Sequence, residues 1–254
     1  MRPTASLLLP LLSLACVGCG DDDPAGADGG EELRIAFVGS VGEEGLALGA
    51  TAYEAASAAE GFRPTRVSFY LSDVRVVGGE RDGSRPEAPV AEVAYVEFGP
   101  GGDAELVVDG VAPGEYAGLR FTVGLTEDQD ATSPADYPPD HPLGRGSEYW
   151  VDWGSYIFLK LEGRSDTLAD GRERFDAAYT YHVGRSAELA REVEVETAFV
   201  VGEGGAPLEL DVDLATLLGL GEADELPLVG VADHRNGAAA RIMDNVSRAF
   251  TPSR

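Results

Sequence analysis

The segment Gly114-Glu-Tyr-Ala-Gly-Leu-Arg-Phe-Thr-Val-Gly124 carries the clearest evidence of the fold in this sequence, and it follows the turn Ala112-Pro113-Gly114. Four of its apolar residues recur with a period of two: Ala117, Leu119, Phe121 and Val123. Successive side chains of a strand point to opposite faces of a sheet, so this spacing predicts a strand with one buried face.

The same alternation recurs on both sides of this segment, between clusters of Gly, Pro and Asp. The residues that share a strand face are Leu33, Ile35 and Phe37; Leu106 and Val108; Phe175, Ala177, Tyr179, Tyr181 and Val183; Val193, Val195 and Phe199; and Leu208, Leu210, Val212 and Leu214. In Thr65–Val77 the apolar register jumps after Leu71, which predicts a β-bulge near Ser72-Asp73. Both faces of Tyr156–Leu161 are apolar, which predicts a central strand covered on each side.

These patterns predict an all-β fold, a single antiparallel β-sandwich of about eight strands over residues 33–250. Short helices are expected only in the alanine-rich segment Ala47–Ala59 and in Asn236–Phe250. The segment Thr126–Ser147 has four prolines and little apolar periodicity, which predicts a long Pro-rich loop. A loop of this length in a compact domain is usually functional or disordered. Residues 251–254 are expected to form a tail.

Residues 1–18 have the pattern of an export signal, with one positive charge, an apolar stretch from Leu7 to Val17 and then small residues. That stretch is too short to span a bilayer as a helix. The only two cysteines, Cys16 and Cys19, lie at its end. A cysteine after small residues in this place resembles the bacterial lipobox, whose thiol is acylated. We expect lipid on Cys19, with Cys16 as the alternative; a disulfide or an ordinary cleaved signal is the competing interpretation.

Residues 19–32 contain six acids and no base, which predicts an acidic, flexible tether between the lipid and the domain. Over the whole chain, 45 Asp and Glu residues against 19 Lys and Arg residues give a formal net charge of −26. Such a chain has no basic surface that can neutralise a phosphate backbone or anionic headgroups. Nucleic acid is therefore excluded as a partner, and the only expected membrane contact is the lipid anchor.

The motifs of common enzyme classes are missing from the sequence: the Gly-x-Ser-x-Gly elbow, phosphate-binding glycine loops and the His-Glu-x-x-His helix. The acids of Glu127–Asp130 lack the spacing of a calcium loop. Nothing in the sequence indicates a nucleophile and a base that lie close together, as a hydrolase requires. We therefore expect a protein without catalytic activity and without an organic cofactor.

The candidate metal donors after the export signal are few, namely His141, His182, His234 and Met243. His182 falls on the polar face of its strand, opposite Tyr179 and Tyr181. Imidazole suits Cu, Zn and Ni. No two histidines have the spacing of a metal pair, so each one alone is explained as well by ordinary hydrogen bonding. The aromatic pair Trp150 and Trp153 is likewise explained by packing.

Several segments together resemble the MbnP-like family of exported copper-binding β-sandwich proteins. They are Ser68-Phe-Tyr-Leu-Ser-Asp-Val-Arg75, Gly114–Gly124, Asp140-His-Pro-Leu143, Tyr149-Trp-Val-Asp-Trp-Gly-Ser-Tyr-Ile-Phe-Leu-Lys-Leu-Glu-Gly163 and Tyr181-His-Val-Gly184. The resemblance implies a lipoprotein of the bacterial cell envelope, facing the periplasm or on the surface. It also implies a partner, a dihaem cytochrome c peroxidase of the MauG type, that oxidises a tryptophan to kynurenine.

By motif position, the resemblance implies that His182 and His141 are copper ligands, with His234 as a weaker third. Trp150 or Trp153 is the residue that would be oxidised. Two imidazoles and one weak donor suit Cu(I). The sequence departs from some relatives because it has no four-cysteine motif and no imidazole near Gly39. The alternative function is a metal-free, surface-anchored interaction or structural sandwich.

Overall fold

The computed structural model describes residues 30–58, 61–79, 86–234 and 237–253. Cys16, Cys19, the export signal and most of the tether lie outside the described residues. The strands in the described ranges are β1 (Glu31–Val41), β2 (Glu44–Gly45), β3 (Phe62–Gly78), β4 (Ala88–Glu97), β5 (Asp103–Val111), β6 (Gly114–Val123), β7 (Tyr149–Trp150), β8 (Ser155–Ser165), β9 (Ala177–Gly184), β10 (Arg191–Val201), β11 (Leu208–Asp213), β12 (Val231–Asp233) and β13 (Phe250–Pro252). The α-helices there are α1 (Glu127–Asp130), α2 (Leu214–Leu218) and α3 (Ala239–Ala249).

The strands form two sheets. The first runs β13-β11-β1-β2, with β5 also paired to β1, and the second runs β10-β6-β3-β8-β9-β12, with β4 paired to β3 and β7 to β8. The predicted all-β sandwich is confirmed, although β1–β11 and β9–β12 are parallel pairs and the strands outnumber the expected eight. The first strand, β1, begins at Glu31.

Aromatic rings from both sheets meet in the core between them. Phe37 of β1 contacts Phe69 of β3 edge to face, with ring centroids 5.8 Å apart. Phe250 lies 5.4 Å from both Phe69 and Phe121 by the same measure. Offset and edge-to-face ring contacts of this kind add to the stabilisation from apolar burial. The alternating apolar residues therefore close the sandwich as the sequence predicts.

The predicted bulge in β3 is confirmed. The pairing of β3 with β6 shifts register between Ser72 and Arg75, and Asp73 adopts a positive φ of 48°. In β6, Tyr116 and Gly118 are the buried residues before Leu119. Ala117, which was predicted to lie on the buried face, is exposed. The partner strands β3 and β10 both have register irregularities beside this end of β6, which change the face that each residue presents.

The two helix predictions have different outcomes. α3 confirms the second, because its buried residues Ile242, Met243, Val246 and Ala249 share one helical face. The first is wrong for the described residues 47–58. Gly49 there has a φ of 69°, and Tyr53 forms an isolated bridge with Phe62. The Tyr53 hydroxyl donates to the Gly45 carbonyl oxygen and accepts from the Ala47 N–H, which fixes a turn.

Two predicted strand ends also move. Phe175 lies before β9, with a φ of 43°, and Arg63 packs over its ring. Leu214 begins α2 because the Asp213 carboxylate accepts the Ala215 and Thr216 N–H groups and caps the helix. None of the helices in the described ranges has the length and apolar character needed to cross a membrane.

Strand β8 has apolar residues on both faces for a clear reason. Leu159 and Leu161 belong to the core between the sheets. A second group, the outer cluster, consists of Tyr70, Leu125, Leu143, Tyr156 and Phe158. The segment Thr126–Ser147 covers this outer cluster, so both halves of the prediction for β8 are confirmed.

The Pro-rich segment itself is not structureless. It contains α1 and short 3₁₀ turns at Pro134–Asp136, Pro142–Gly144 and Gly146–Glu148. The hydroxyls of Tyr70 and Tyr156 donate to the carbonyl oxygens of Pro142 and Leu143, respectively. The segment is therefore tied to the outer face of the second sheet, where it leads into Trp150.

Candidate metal centre

His182 lies on the outer face of the second sheet. It is directly opposite Lys160 in the antiparallel pairing of β8 and β9. Its neighbours Tyr181 and Val183 point into the core and are buried. The predicted polar face for His182 is thus confirmed, and its side chain is only 11% exposed.

His234 is brought beside His182 by the parallel pairing of β12 with β9. In this pairing Asp233 is opposite Tyr181. The residue after Asp233 is His234 and the residue after Tyr181 is His182, so the two histidines lie side by side. The ring centroids of His182 and His234 are 4.7 Å apart. Two histidines that are distant in sequence therefore become immediate neighbours.

Trp150 completes a group of three rings, which we call the ring cluster: Trp150, His182 and His234. The Trp150 ring centroid lies 4.8 Å from that of His234 and 5.8 Å from that of His182. Trp153 stacks on Trp150 at 4.9 Å, with ring planes 15° apart. Trp150 thus contacts both imidazoles, and Trp153 contacts Trp150.

The imidazole nitrogens have contrasting environments. The Nε2 atom of His182 lies 2.7 Å from Glu162 Oε1. The Nδ1 atoms of His182 and His234 are both buried and have no hydrogen-bond partner among the described residues. Buried polar atoms without a partner are rare in native proteins, and each one calls for a physical explanation.

The electrostatics at this site favour a neutral His234. Burial lowers the pKa of His234, and His182 lowers it further, whereas Asp233 and Glu162 act in the opposite direction. A His234 pKa below its ordinary value keeps that imidazole neutral at neutral pH, which is the form that binds metals. The hydrogen bond from His182 also lowers the pKa of Glu162 and keeps it ionised, although burial opposes this.

A buried ion network holds the segment that immediately precedes Trp150, at Ser147 and Glu148. Lys160 Nζ donates to the Ser147 carbonyl oxygen at 2.8 Å and lies 2.8 Å from Glu148 Oε2. Arg66 donates to Glu148 Oε1, also at 2.8 Å. Burial raises the pKa of Glu148, but Lys160 and Arg66 outweigh it and hold that pKa below the ordinary value. Glu148 is therefore a buried, paired carboxylate immediately before β7.

His141 is placed differently from the other two histidines. Its ring stacks on Tyr137, with centroids 4.4 Å apart, and its Nδ1 accepts the Leu143 N–H. In the part of the chain that the structure describes, no ring contact or hydrogen bond joins His141 to the ring cluster. Met243 is fully buried in the hydrophobic core. Of the histidines predicted together, the structure brings together His182 and His234.

The donors in the ring cluster fit copper better than zinc. Structural zinc usually takes four ligands, and the described residues contain no group of three or more His, Cys, Asp or Glu side chains arranged to hold a metal ion. Two imidazole nitrogens beside an aromatic ring suit copper, which accepts imidazole as a ligand. The Nδ1 atoms of His182 and His234 have no hydrogen-bond partner among the described residues and are therefore the donors that fit a metal ion.

Sequence reasoning did not single out Glu162, Glu148 or Lys160 as parts of the site. Glu162 and Lys160 lie in the same strand segment as Tyr156–Leu161, and their period-two spacing places both on the outer face. That spacing is the sequence pattern that could have identified Lys160 and Glu162 as outer-face residues. Their contacts with His182 and Glu148 depend on long-range pairing, which the spacing does not predict.

The chain was compared with family models, curated proteins and solved structures. A family model described as MbnP matches residues 30–237, a range that includes all three rings of the ring cluster. The solved structure of MbnP from Methylosinus trichosporium is similar with a TM-score of 0.48 and 15% sequence identity, and the similarity covers 80% of each chain. No curated protein matches the chain.

Proposed function

The chain belongs to the MbnP family, and we propose that it is an exported, non-catalytic protein that binds copper through His182 and His234. Membership of this family indicates a copper-related exported protein. The observation that carries the proposal is the pair of buried Nδ1 atoms without hydrogen-bond partners among the described residues. A bound cation would satisfy both lone pairs at once.

Copper, when bound, supplies a soft cation that accepts imidazole nitrogen. The residues of this chain would supply the rest of the site. His182 of β9 and His234, which follows β12, provide two imidazole donors, and the Trp150 ring lies against both of them. The described residues contain no group of three or more His, Cys, Asp or Glu side chains arranged to hold a metal ion, which favours Cu(I) over ions that demand four or more ligands. His141 is not part of this ligand pair.

Trp150 is the residue that the proposal assigns to oxidation by a partner dihaem peroxidase. Its ring contacts both histidines, whereas Trp153 stacks on Trp150. Conversion of Trp150 to kynurenine would place new carbonyl and amine groups beside the imidazoles. Such groups can serve as the further weak donor.

The proposed location is the bacterial cell envelope, with lipid on Cys19 and an acidic tether before β1. The support for this location is the sequence of residues 1–32. The chain's net charge of −26 disfavours direct contact with anionic headgroups, so the lipid would be the membrane contact.

The proposal is tested by measuring Cu(I) affinity through competition with a chromogenic Cu(I) chelator. We expect one Cu(I) per wild-type chain and no specific binding by the double variant His182→Ala/His234→Ala. The matched control is His141→Ala, which removes an imidazole outside the ring cluster and should keep wild-type affinity. Undiminished stoichiometry in the double variant would contradict the proposal, and loss of binding in the control would move the ligand set to His141.

The alternative function is a metal-free, surface-anchored interaction or structural sandwich. The observation in its favour is that the described residues contain no group of three or more His, Cys, Asp or Glu side chains suited to a metal. In the same titration it predicts that the wild-type chain competes no better for Cu(I) than the double variant does.

A further inference from the structure

We infer that Glu162 is a positioning residue, which fixes the orientation of the His182 ring so that the Nδ1 lone pair is free to bind a metal ion. This inference rests on the proposed function, because it assigns a role within the same site. It adds a residue that neither the sequence motifs nor the chemistry of the ligands identifies.

The position of Glu162 follows from the strand pairing. Lys160 lies directly opposite His182, and Glu162 lies opposite Thr180, so Glu162 is the diagonal neighbour of His182 on the outer face. Diagonal neighbours across two antiparallel strands are within reach of long side chains. The 2.7 Å separation of Glu162 Oε1 and His182 Nε2 is a short, charge-assisted hydrogen bond.

The contact determines which nitrogen carries the proton. An ionised carboxylate only accepts hydrogen bonds, so Nε2 of His182 must be the donor. In a neutral imidazole that donates from Nε2, the lone pair is on Nδ1. This is the His182 nitrogen that is buried without a partner in the described chain. The hydrogen bond thus prepares the other nitrogen as a ligand.

The cations near Glu162 are engaged elsewhere. Arg66 donates to Glu148 and Tyr95, and it pairs with Glu97. Lys160 donates to Ser147 and pairs with Glu148. Glu162 is therefore left to the imidazole rather than bound into the ion network that holds β7.

The expected effect comes from the behaviour of carboxylates that orient ligand histidines. Such a carboxylate fixes the tautomer and the ring orientation and raises the basicity of the ligand nitrogen. Its loss typically weakens metal affinity by about 10–100-fold. We expect a weakening of this size in Glu162→Met, with a smaller effect in Glu162→Gln, which keeps an acceptor oxygen and the side-chain volume.

The experiment combines Cu(I) affinity with ¹⁵N-edited NMR of the metal-free protein. In the wild type, we expect a slowly exchanging proton on Nε2 of His182, and in Glu162→Met we expect that signal to be lost. The matched control is Glu194→Met, which removes a carboxylate that pairs with Arg120 on β6. This control should change neither the His182 signal nor the Cu(I) affinity.

The outcomes separate this inference from the proposed function. Wild-type Cu(I) affinity in both Glu162 variants, with the His182 proton signal retained, would overturn the inference and leave the proposed function intact. Equal Cu(I) binding by wild type and His182→Ala/His234→Ala would overturn the proposed function. The NMR spectrum of the metal-free protein would still decide whether Glu162 orients His182.

Discussion

At the scale of single residues, the Nδ1 nitrogens of His182 and His234 are buried polar atoms in neighbouring rings, and neither has a hydrogen-bond partner among the described residues. A buried polar atom without a hydrogen bond costs about 1–3 kcal/mol, so two of them beside one another are expensive for the fold. Sites that bind ligands are where such costs are found, because the ligand satisfies the atoms. The ring cluster is therefore the place where we expect a ligand to bind.

The two tryptophans should respond differently to oxidation. When the chain is co-produced with a dihaem peroxidase of the proposed partner class, we expect a mass gain on the peptide that contains Trp150. Opening of the indole ring takes two oxygen atoms from the peroxide that the peroxidase consumes, with two H2O2 reduced to two waters, and hydrolysis then consumes one water and releases formate. The peptide therefore gains one oxygen and loses one carbon, which peptide mass spectrometry detects.

The control for this prediction is the neighbouring ring. Trp150→Phe should abolish the mass gain, whereas Trp153→Phe should retain it because Trp150 still contacts both imidazoles. A mass gain that persists in Trp150→Phe, or that is missing from the wild type, would refute the assignment.

At the scale of secondary-structure elements, the segment before β7 is held by the ion network of Lys160, Glu148 and Arg66. Glu148 is 1% exposed and Lys160 4% exposed. Removing one partner of a buried ion pair costs about 3–5 kcal/mol, because the other charge stays buried. We expect Lys160→Met to lower the free energy of unfolding by about this amount, measured by urea denaturation.

An exposed ion pair provides the comparison. Arg248 pairs with Glu222 on the surface, where both side chains are about half exposed. Arg248→Met should change the free energy of unfolding by at most about 1 kcal/mol. Similar losses in the two variants would mean that the network around Glu148 is not specially coupled to the fold.

The elements also differ in how far the sequence predicted them. The bulge in β3 and the two-faced strand β8 were predictable because each leaves a local trace in the apolar pattern. The helix predicted over residues 47–58 is wrong for two reasons. The high helix propensity of the alanines favours a helix more than Gly49 disfavours it. The bridge from Tyr53 to Phe62, which fixes the turn, is a tertiary contact that the local sequence does not reveal. The 3₁₀ turns in the Pro-rich segment are likewise fixed by tyrosines from the sheet.

At the scale of the whole molecule, the approach of His234 to His182 could not be predicted from spacing. It depends on the parallel pairing of β12 with β9, which joins distant parts of the chain. Spacing did predict the sandwich and the polar face of His182. The family resemblance supplied copper and the other expected ligands, but it grouped His141 with the pair, whereas the structure stacks His141 on Tyr137.

The proposed lipid anchor concerns the whole molecule, because such an anchor would decide where the acidic domain resides. In a bacterial host that makes lipoproteins, we expect Cys19→Ala to lose incorporation of labelled fatty acid and to leave the membrane fraction. The control is Cys16→Ala, which should retain both. Lipid that remains in Cys19→Ala but not in Cys16→Ala would transfer the anchor to Cys16.

The central claim is that copper binds to Nδ1 of His182 and of His234. The most direct measurement is ¹⁵N NMR of the histidine side chains during a titration with Cu(I) under anaerobic conditions. We expect one equivalent of Cu(I) to shift the Nδ1 resonances of His182 and His234 and to leave those of His141 unchanged. Unchanged resonances for His182 and His234 at one equivalent of Cu(I) would contradict the central claim.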